Sequence, residues 1–130
     1  MATDQEMSDA VRHAFGAEPR PEHFTDHPHC CECAEHDAVV ASRHVDSLRV
    51  EDIHNAGRDP ICFVTAAGVR YYLPALVRLA LASTTAENWY LPQLLCHLIG
   101  EGPQNRRVRC CTAGQRRAIV AVLWHVVGRA

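Results

Sequence analysis

Apolar positions recur at helical spacing over most of this chain. Met7, Val11, Ala14 and Phe15 fall at i, i+4, i+7 and i+8 behind Thr3 and Glu6, which form a capping box. Together they predict an amphipathic helix that stops near Gly16. Pro19, Pro21 and Pro28 break the pattern over residues 17–29, because proline removes a backbone donor and turns the preceding residue away from helical geometry. Helical spacing resumes from Cys33 to about His44, and again from Ser47 to Asn55, where the Asn55-Ala56-Gly57 turn closes it. The apolar run ICFVT at 61–65 is β-prone and reads as a short extended segment. Thr65 is placed to cap a helix through VRYYLPALVRLAL, and Thr84 with Glu87 makes a capping box ahead of NWYLPQLLCHLIG, which ends at Gly100. Thr112 with Gln115 opens QRRAIVAVLWHVV, a helix apolar around most of its circumference and therefore expected in the core. The YLPxL segment occurs at 72–76 and at 90–94; two copies make similar packing elements, since a repeat array needs about three. The pattern as a whole predicts a mainly α fold: one compact domain over 1–130, a bundle of about five or six helices with at most a short extended segment or hairpin near 61–65.

Composition agrees with a folded chain, at 48% apolar and 22% charged residues. No window approaches the roughly 18 uninterrupted apolar residues of a membrane helix. The start MATDQEMSDAVRHAF lacks a basic stretch followed by an apolar one, so a cytoplasmic protein without a membrane partner is expected. All thirteen basic residues are arginine, which reflects codon usage more than function. Charge is split: residues 1–59 hold thirteen acids against five arginines, and residues 60–130 hold two acids against eight. The two halves should attract each other.

The chemistry concentrates at HFTDHPHCCECAEH, residues 23–36, which holds seven of the chain's sixteen histidines and cysteines. The seven cysteines are odd in number and include two adjacent pairs, Cys30 with Cys31 and Cys110 with Cys111, which argues for thiols or metal ligands over a disulfide framework. Zinc takes tetrahedral thiolate and imidazole ligands, and Cys30-x-x-Cys33 supplies two thiolates from one turn of chain. The expected metal ligands are His27, Cys30, Cys33 and His36, with His23 and His29 as alternates for the loop ligand. In an unbroken helix His27 and His36 would lie about 13.5 Å apart at about 1.5 Å per residue, too far for one ion. Pro28 takes the chain off that path and lets the loop fold back over the first helical turn. A distant fourth ligand, His54, His97, Cys62, Cys110 or Cys111, is the other possibility.

The chain resembles a family of small bacterial proteins of about this length that are known only as a domain of unknown function. The matching segments are AVRHAFGAEPRPEHF, HCCEC, DPICFVTAAGVRYYLPALVRLAL and NRRVRCCTAGQRRAIVAVLWHVV. Family members usually carry Thr-Pro-Glu where this chain has Thr65-Ala66-Ala67 and Thr112-Ala113-Gly114, and a glutamate in place of Cys31. The resemblance implies a small, mainly helical domain and no particular reaction.

The expected function is therefore a non-enzymatic, zinc-binding accessory or protein-interaction module with a structural metal site and an unidentified protein partner. One alternative is a thiol-based redox sensor using Cys30 and Cys33, whose acidity a helix start would raise. Another is a small zinc metalloenzyme with an open coordination position and Glu32 or Glu35 as general base. The arginines at 106, 107, 109, 116 and 117 suit the phosphates of nucleic acid or a protein's acidic face, but no aromatics interleave them, and a basic edge facing the chain's own acidic half accounts better for Arg106, Arg107, Arg109, Arg116 and Arg117.

Overall fold

The structure, a computed structural model, describes residues 2–53, 55–82 and 89–129. Seven α-helices and no strand are found among the described residues: α1 (Asp4–Phe15), α2 (Cys31–Ala41), α3 (Val50–Ile53), α4 (Ala66–Ala82), α5 (Leu91–Ile99), α6 (Arg106–Arg109) and α7 (Ala113–Arg129). The predicted mainly helical class holds. No helix among the described residues is long and apolar enough to cross a membrane.

The caps read from sequence are present where they are described. Thr3 and Glu6 exchange the two bonds of a capping box, as do Thr112 and Gln115, and Thr65 Oγ1 accepts from Gly68 N at 3.2 Å. The expected Thr84–Glu87 box lies outside the described residues, and α5 instead begins at Leu91 with Pro92 in its first turn. Helix α5 ends at Gly100 as expected, where a Cβ would stand 2.5 Å from the Cys96 carbonyl oxygen.

Three expectations need correction. Residues 60–63 form a 3-10 turn, not an extended segment, because Asp59 Oδ1 accepts from Ile61 N at 2.8 Å and Pro60 fixes the first φ of the turn. The stretch after α2 is shorter in helix than predicted. Ser47 Oγ takes the His44 amide at 2.7 Å and closes a turn there, so the next helix starts only at Val50. Helix α7 is only half in the core: Ile119 and Val122 are buried, while Val120, Trp124 and Val127 face outward.

Helix α4 is the hub. It packs against α1, α5 and α6, and α1 also packs along α7. Tyr72, Leu73 and Leu76 of α4 are almost fully buried with Phe24, Leu48, Ile61, Tyr90 and Leu94. Both YLPxL segments thus serve the core, one mid-helix around Pro74 and one at a helix start. The Tyr72 hydroxyl donates toward the carbonyls of Val40 and Arg43, while Arg20 donates to those of Ala41 at 2.7 Å and Arg43 at 2.9 Å. Side chains thereby satisfy the carbonyls that the end of α2 leaves without helical partners. Charge attraction between the halves is realised by Glu18 with Arg70 at 3.4 Å; Glu18 also accepts from Gln115 at 2.7 Å, and Asp4 Oδ1 meets His125 Nε2 at 2.7 Å.

Tyr72→Phe keeps the ring and deletes the hydroxyl, and is expected to cost about 1–2 kcal/mol, read as a lower urea midpoint at unchanged slope.

Candidate metal centre

The segment from Pro19 to Cys30 is irregular but well anchored. Phe24 is fully buried against Tyr71 and Tyr72, and its carbonyl accepts from Thr65 N at 2.8 Å at the start of α4. Gly68 makes this approach possible, since a Cβ there would lie 2.5 Å from Val64 Cγ1 and 3.1 Å from the Phe24 ring. On the other side the loop is held by Asp37 of α2. Its Oδ1 accepts from the amides of Phe24 at 2.6 Å and Thr25 at 3.1 Å, and its Oδ2 meets His23 Nδ1 at 2.9 Å. Thr25 Oγ1 donates to the Cys33 carbonyl at 2.7 Å. The chain does fold back over the first turn of α2.

Burial by itself pushes the Asp37 carboxyl up, but the bonds from His23 and from the two amides outweigh it and hold the group below the usual carboxylate range. A depressed pKa means that the stabilisation is complete above the ordinary carboxyl value of about 4 and is lost as pH falls through the lower, folded-state value.

Helix α2 begins at Cys31, two residues earlier than expected, because Cys30 is its N-cap: Cys30 Sγ accepts from Cys33 N at 3.4 Å. This cap brings the two sulfurs within 3.5 Å of each other, and His29 Nδ1 lies 3.7 Å from Cys33 Sγ. One ligand atom from each of His29, Cys30 and Cys33 falls within 4.8 Å of the others. Cys30 is exposed, whereas Cys33 is 8% exposed. The Cys33 amide, followed by His29 and the Cys33 thiol, lowers the Cys30 pKa to about 7. The neighbouring Cys30 sulfur pushes both His29 and Cys33 up. A thiol partly ionised near neutral pH therefore sits at a helix start, 3.5 Å from a buried second sulfur.

The other expected ligands go elsewhere. His27 stacks on His23 with ring centres 3.7 Å apart, and these two form a second group with Asp37. His36 joins neither group: it is buried, with its ring stacked on Phe63 at 4.4 Å. A step of three residues along α2 advances about 4.5 Å and turns by about 60°, which carries His36 past the cysteines to the 60–63 turn. Of the six named residues the structure thus joins His29, Cys30 and Cys33, keeps His23 with His27, and separates His36. Asp37 was missed, although a carboxylate in register with Cys33 and Val40 on the inner face of α2 was a readable signal.

Among the distant residues, His54 lies outside the described residues, and Cys110 and Cys111 belong to no metal-capable group among the described residues. Asp59, Cys62 and His97 form a third group. Here Asp59 Oδ2 already meets Gln93 and His97, each at 2.8 Å, and Oδ1 caps the 60–63 turn, so this carboxylate fastens the turn to α5. Three of the five named arginines are engaged by the chain's own acceptors. Arg107 bonds the carbonyls of Ile61, Cys62 and Val64, Arg109 bonds Gln104, and Arg116 bonds the Cys111 carbonyl; Arg106 and Arg117 are exposed.

A family model covers residues 3–128 of the 130-residue chain. The chain belongs to the family of unknown function DUF6714. No curated protein and no solved structure matches it. Membership agrees with the resemblance drawn from the sequence and assigns no chemistry, so the function rests on the site.

Two outcomes test this geometry. Alkylation of Cys30 by iodoacetamide, followed by mass spectrometry in the presence of a chelator, should rise with pH through a midpoint near 7 and level off while the buried Cys33 lags; a midpoint at the ordinary thiol value of about 8.5 would contradict it. Asp37→Ala leaves the Phe24 and Thr25 amides without an acceptor and is expected to cost about 2–4 kcal/mol and to speed hydrogen exchange at both, with Asp37→Asn milder because it keeps Oδ1.

Proposed function

We propose that this chain is a non-enzymatic accessory module that binds one zinc ion through His29, Cys30 and Cys33. The observation that carries the reading is the convergence of two thiols and one imidazole within 4.8 Å at a helix start. Two sulfurs and a nitrogen suit zinc by ligand type, and the partly ionised Cys30 lowers the cost of releasing protons on binding. Asp26 stands outside this group, but its negative charge acts on both His29 and Cys33, and as a fourth ligand it would close the coordination sphere in the way a structural site requires. Such an ion clamps the loop to α2 as Asp37 does from the other side, which is the work of a structural metal. Cysteines that serve as thiolate ligands and not as disulfide partners are in keeping with a reducing, cytoplasmic compartment.

A second reading is favoured by the exposed, acidic Cys30 standing 3.5 Å from the buried Cys33 sulfur. In it, the Cys30 thiolate attacks a small-molecule disulfide and releases one thiolate. Cys33 then loses its proton and displaces the second thiol, closing a Cys30–Cys33 disulfide while the reagent takes up two electrons.

One preparation separates the two. Protein produced in zinc-containing medium is expected to carry one zinc per chain, to lose it in a Cys30→Ser, Cys33→Ser variant, and to expose both thiols to titration only after chelation. Metal-free protein whose two thiols vanish together on mild oxidation would replace the zinc reading with the redox one.

A further inference from the structure

The turn at residues 26–29 sends its two histidines to different places. It is closed by the His29 amide, which donates to the Asp26 carbonyl at 3.0 Å across Pro28. His29 then stands beside the cysteine pair, with Nδ1 3.7 Å from Cys33 Sγ. His27 turns the other way and stacks on His23, with ring centres 3.7 Å apart and planes 15° apart. His23 is itself fixed to α2, its Nδ1 2.9 Å from Asp37 Oδ2. One ligand atom from each of His23, His27 and Asp37 falls within 4.8 Å of the others, so two imidazoles and a carboxylate share one small volume. None of the three belongs to the thiolate group.

Anchoring of the loop accounts for only part of this arrangement. Asp37 takes the amides of Phe24 and Thr25 on Oδ1 and the ring of His23 on Oδ2. Those bonds are complete without His27. The His27 ring makes no hydrogen bond or ion pair with any described residue, so both of its nitrogens are available, and the two stacked rings reach solvent instead of filling the core.

We propose that His23, His27 and Asp37 form a second metal site, which takes one divalent transition ion. Imidazole nitrogen and carboxylate oxygen suit iron(II), cobalt(II), nickel(II) and zinc, whereas calcium and magnesium prefer donor sets made of oxygen alone. The carboxylate is already oriented. The loop amides hold Oδ1, which leaves Oδ2 to turn from the His23 ring to the ion, and such outer bonds are what fix a metal-ligating carboxylate in place. Three protein ligands leave coordination positions open to water, and two of the three lie at the surface. The ion is therefore exchangeable: it leaves on dialysis, while an ion on the thiolates stays, and it returns when metal is added back.

The test uses untagged protein carrying Cys30→Ser and Cys33→Ser, which removes the thiolate group and keeps a good cap at the start of α2. Titrated with Co2+ after dialysis, this variant should take up one ion per chain, with weak d–d absorption and no thiolate-to-cobalt charge transfer. Excess Ca2+ should not displace it. Adding His27→Ala should weaken uptake about tenfold or more at an unchanged circular dichroism spectrum, and so should Asp37→Asn, which keeps Oδ1 for the amides and loses the charge. His13→Ala, at an exposed histidine on α1, should change nothing. The proposal is overturned if the double-serine variant takes up no Co2+, if it binds as tightly without His27, or if a thiolate band shows that the ion sits on another cysteine. Because the variant lacks Cys30 and Cys33, the result does not depend on the zinc reading: wild-type protein that holds no zinc would end that reading and leave this one standing.

Discussion

One buried carboxylate holds the candidate site together. A loop with three prolines has no helix or sheet to take up its amides, and an unanchored loop would sample many conformations at about 1–2 kcal/mol of entropy for each residue that must be fixed. Asp37 offers a charged acceptor from inside α2, and the amides of Phe24 and Thr25 and the ring of His23 all converge on it. Bonds to an ionised acceptor are stronger than those between neutral groups, which is why a single side chain can outweigh the cost of its own burial. With that point fixed, Phe24 enters the core and the chain re-enters α2 from the side on which Cys30 can cap it.

The cap then sets the chemistry. A serine or asparagine at position 30 would start the helix equally well, but a cysteine there brings its sulfur into contact with the amide and thiol of Cys33 and with His29. Local backbone geometry, rather than a preformed cage of distant residues, is what gathers the three donors. This arrangement explains why His36 plays no part in it. The same helix that orients Cys33 toward the loop turns His36 toward the 60–63 turn and Phe63.

The device recurs at the 60–63 turn, which packs against α2. Asp59 caps the 60–63 turn with one oxygen and binds Gln93 and His97 of α5 with the other, so that a second buried carboxylate fastens an irregular segment to a helix. Arg20 and Arg107 do the complementary work, directing guanidinium donors at backbone carbonyls that helix ends and turns leave open. In a chain with no sheet among its described residues, these charged side chains replace the backbone ladder that would otherwise satisfy loop amides and carbonyls.

Helix identity was legible in the sequence, because caps and apolar spacing act over three or four residues and need no distant partner. The Thr3–Glu6 and Thr112–Gln115 boxes, Thr65, Gly16 and Gly100 all read correctly for that reason, and the histidines and cysteines of 23–36 do fall into two groups that could hold an ion, one of them with Asp37. Tertiary packing decided everything that depends on which side of a helix is covered. It held His27 and His36 away from the cysteine pair, because His27 stacks on His23, which Asp37 of α2 fixes, and His36 stacks on Phe63. It turned 60–63 from an extended run into a 3-10 turn, because Asp59 found both a turn amide and α5. It also left one face of α7 bare, because apolar residues around a helix state a demand for burial, while only the packing of α1 determines how much of that demand one chain can meet.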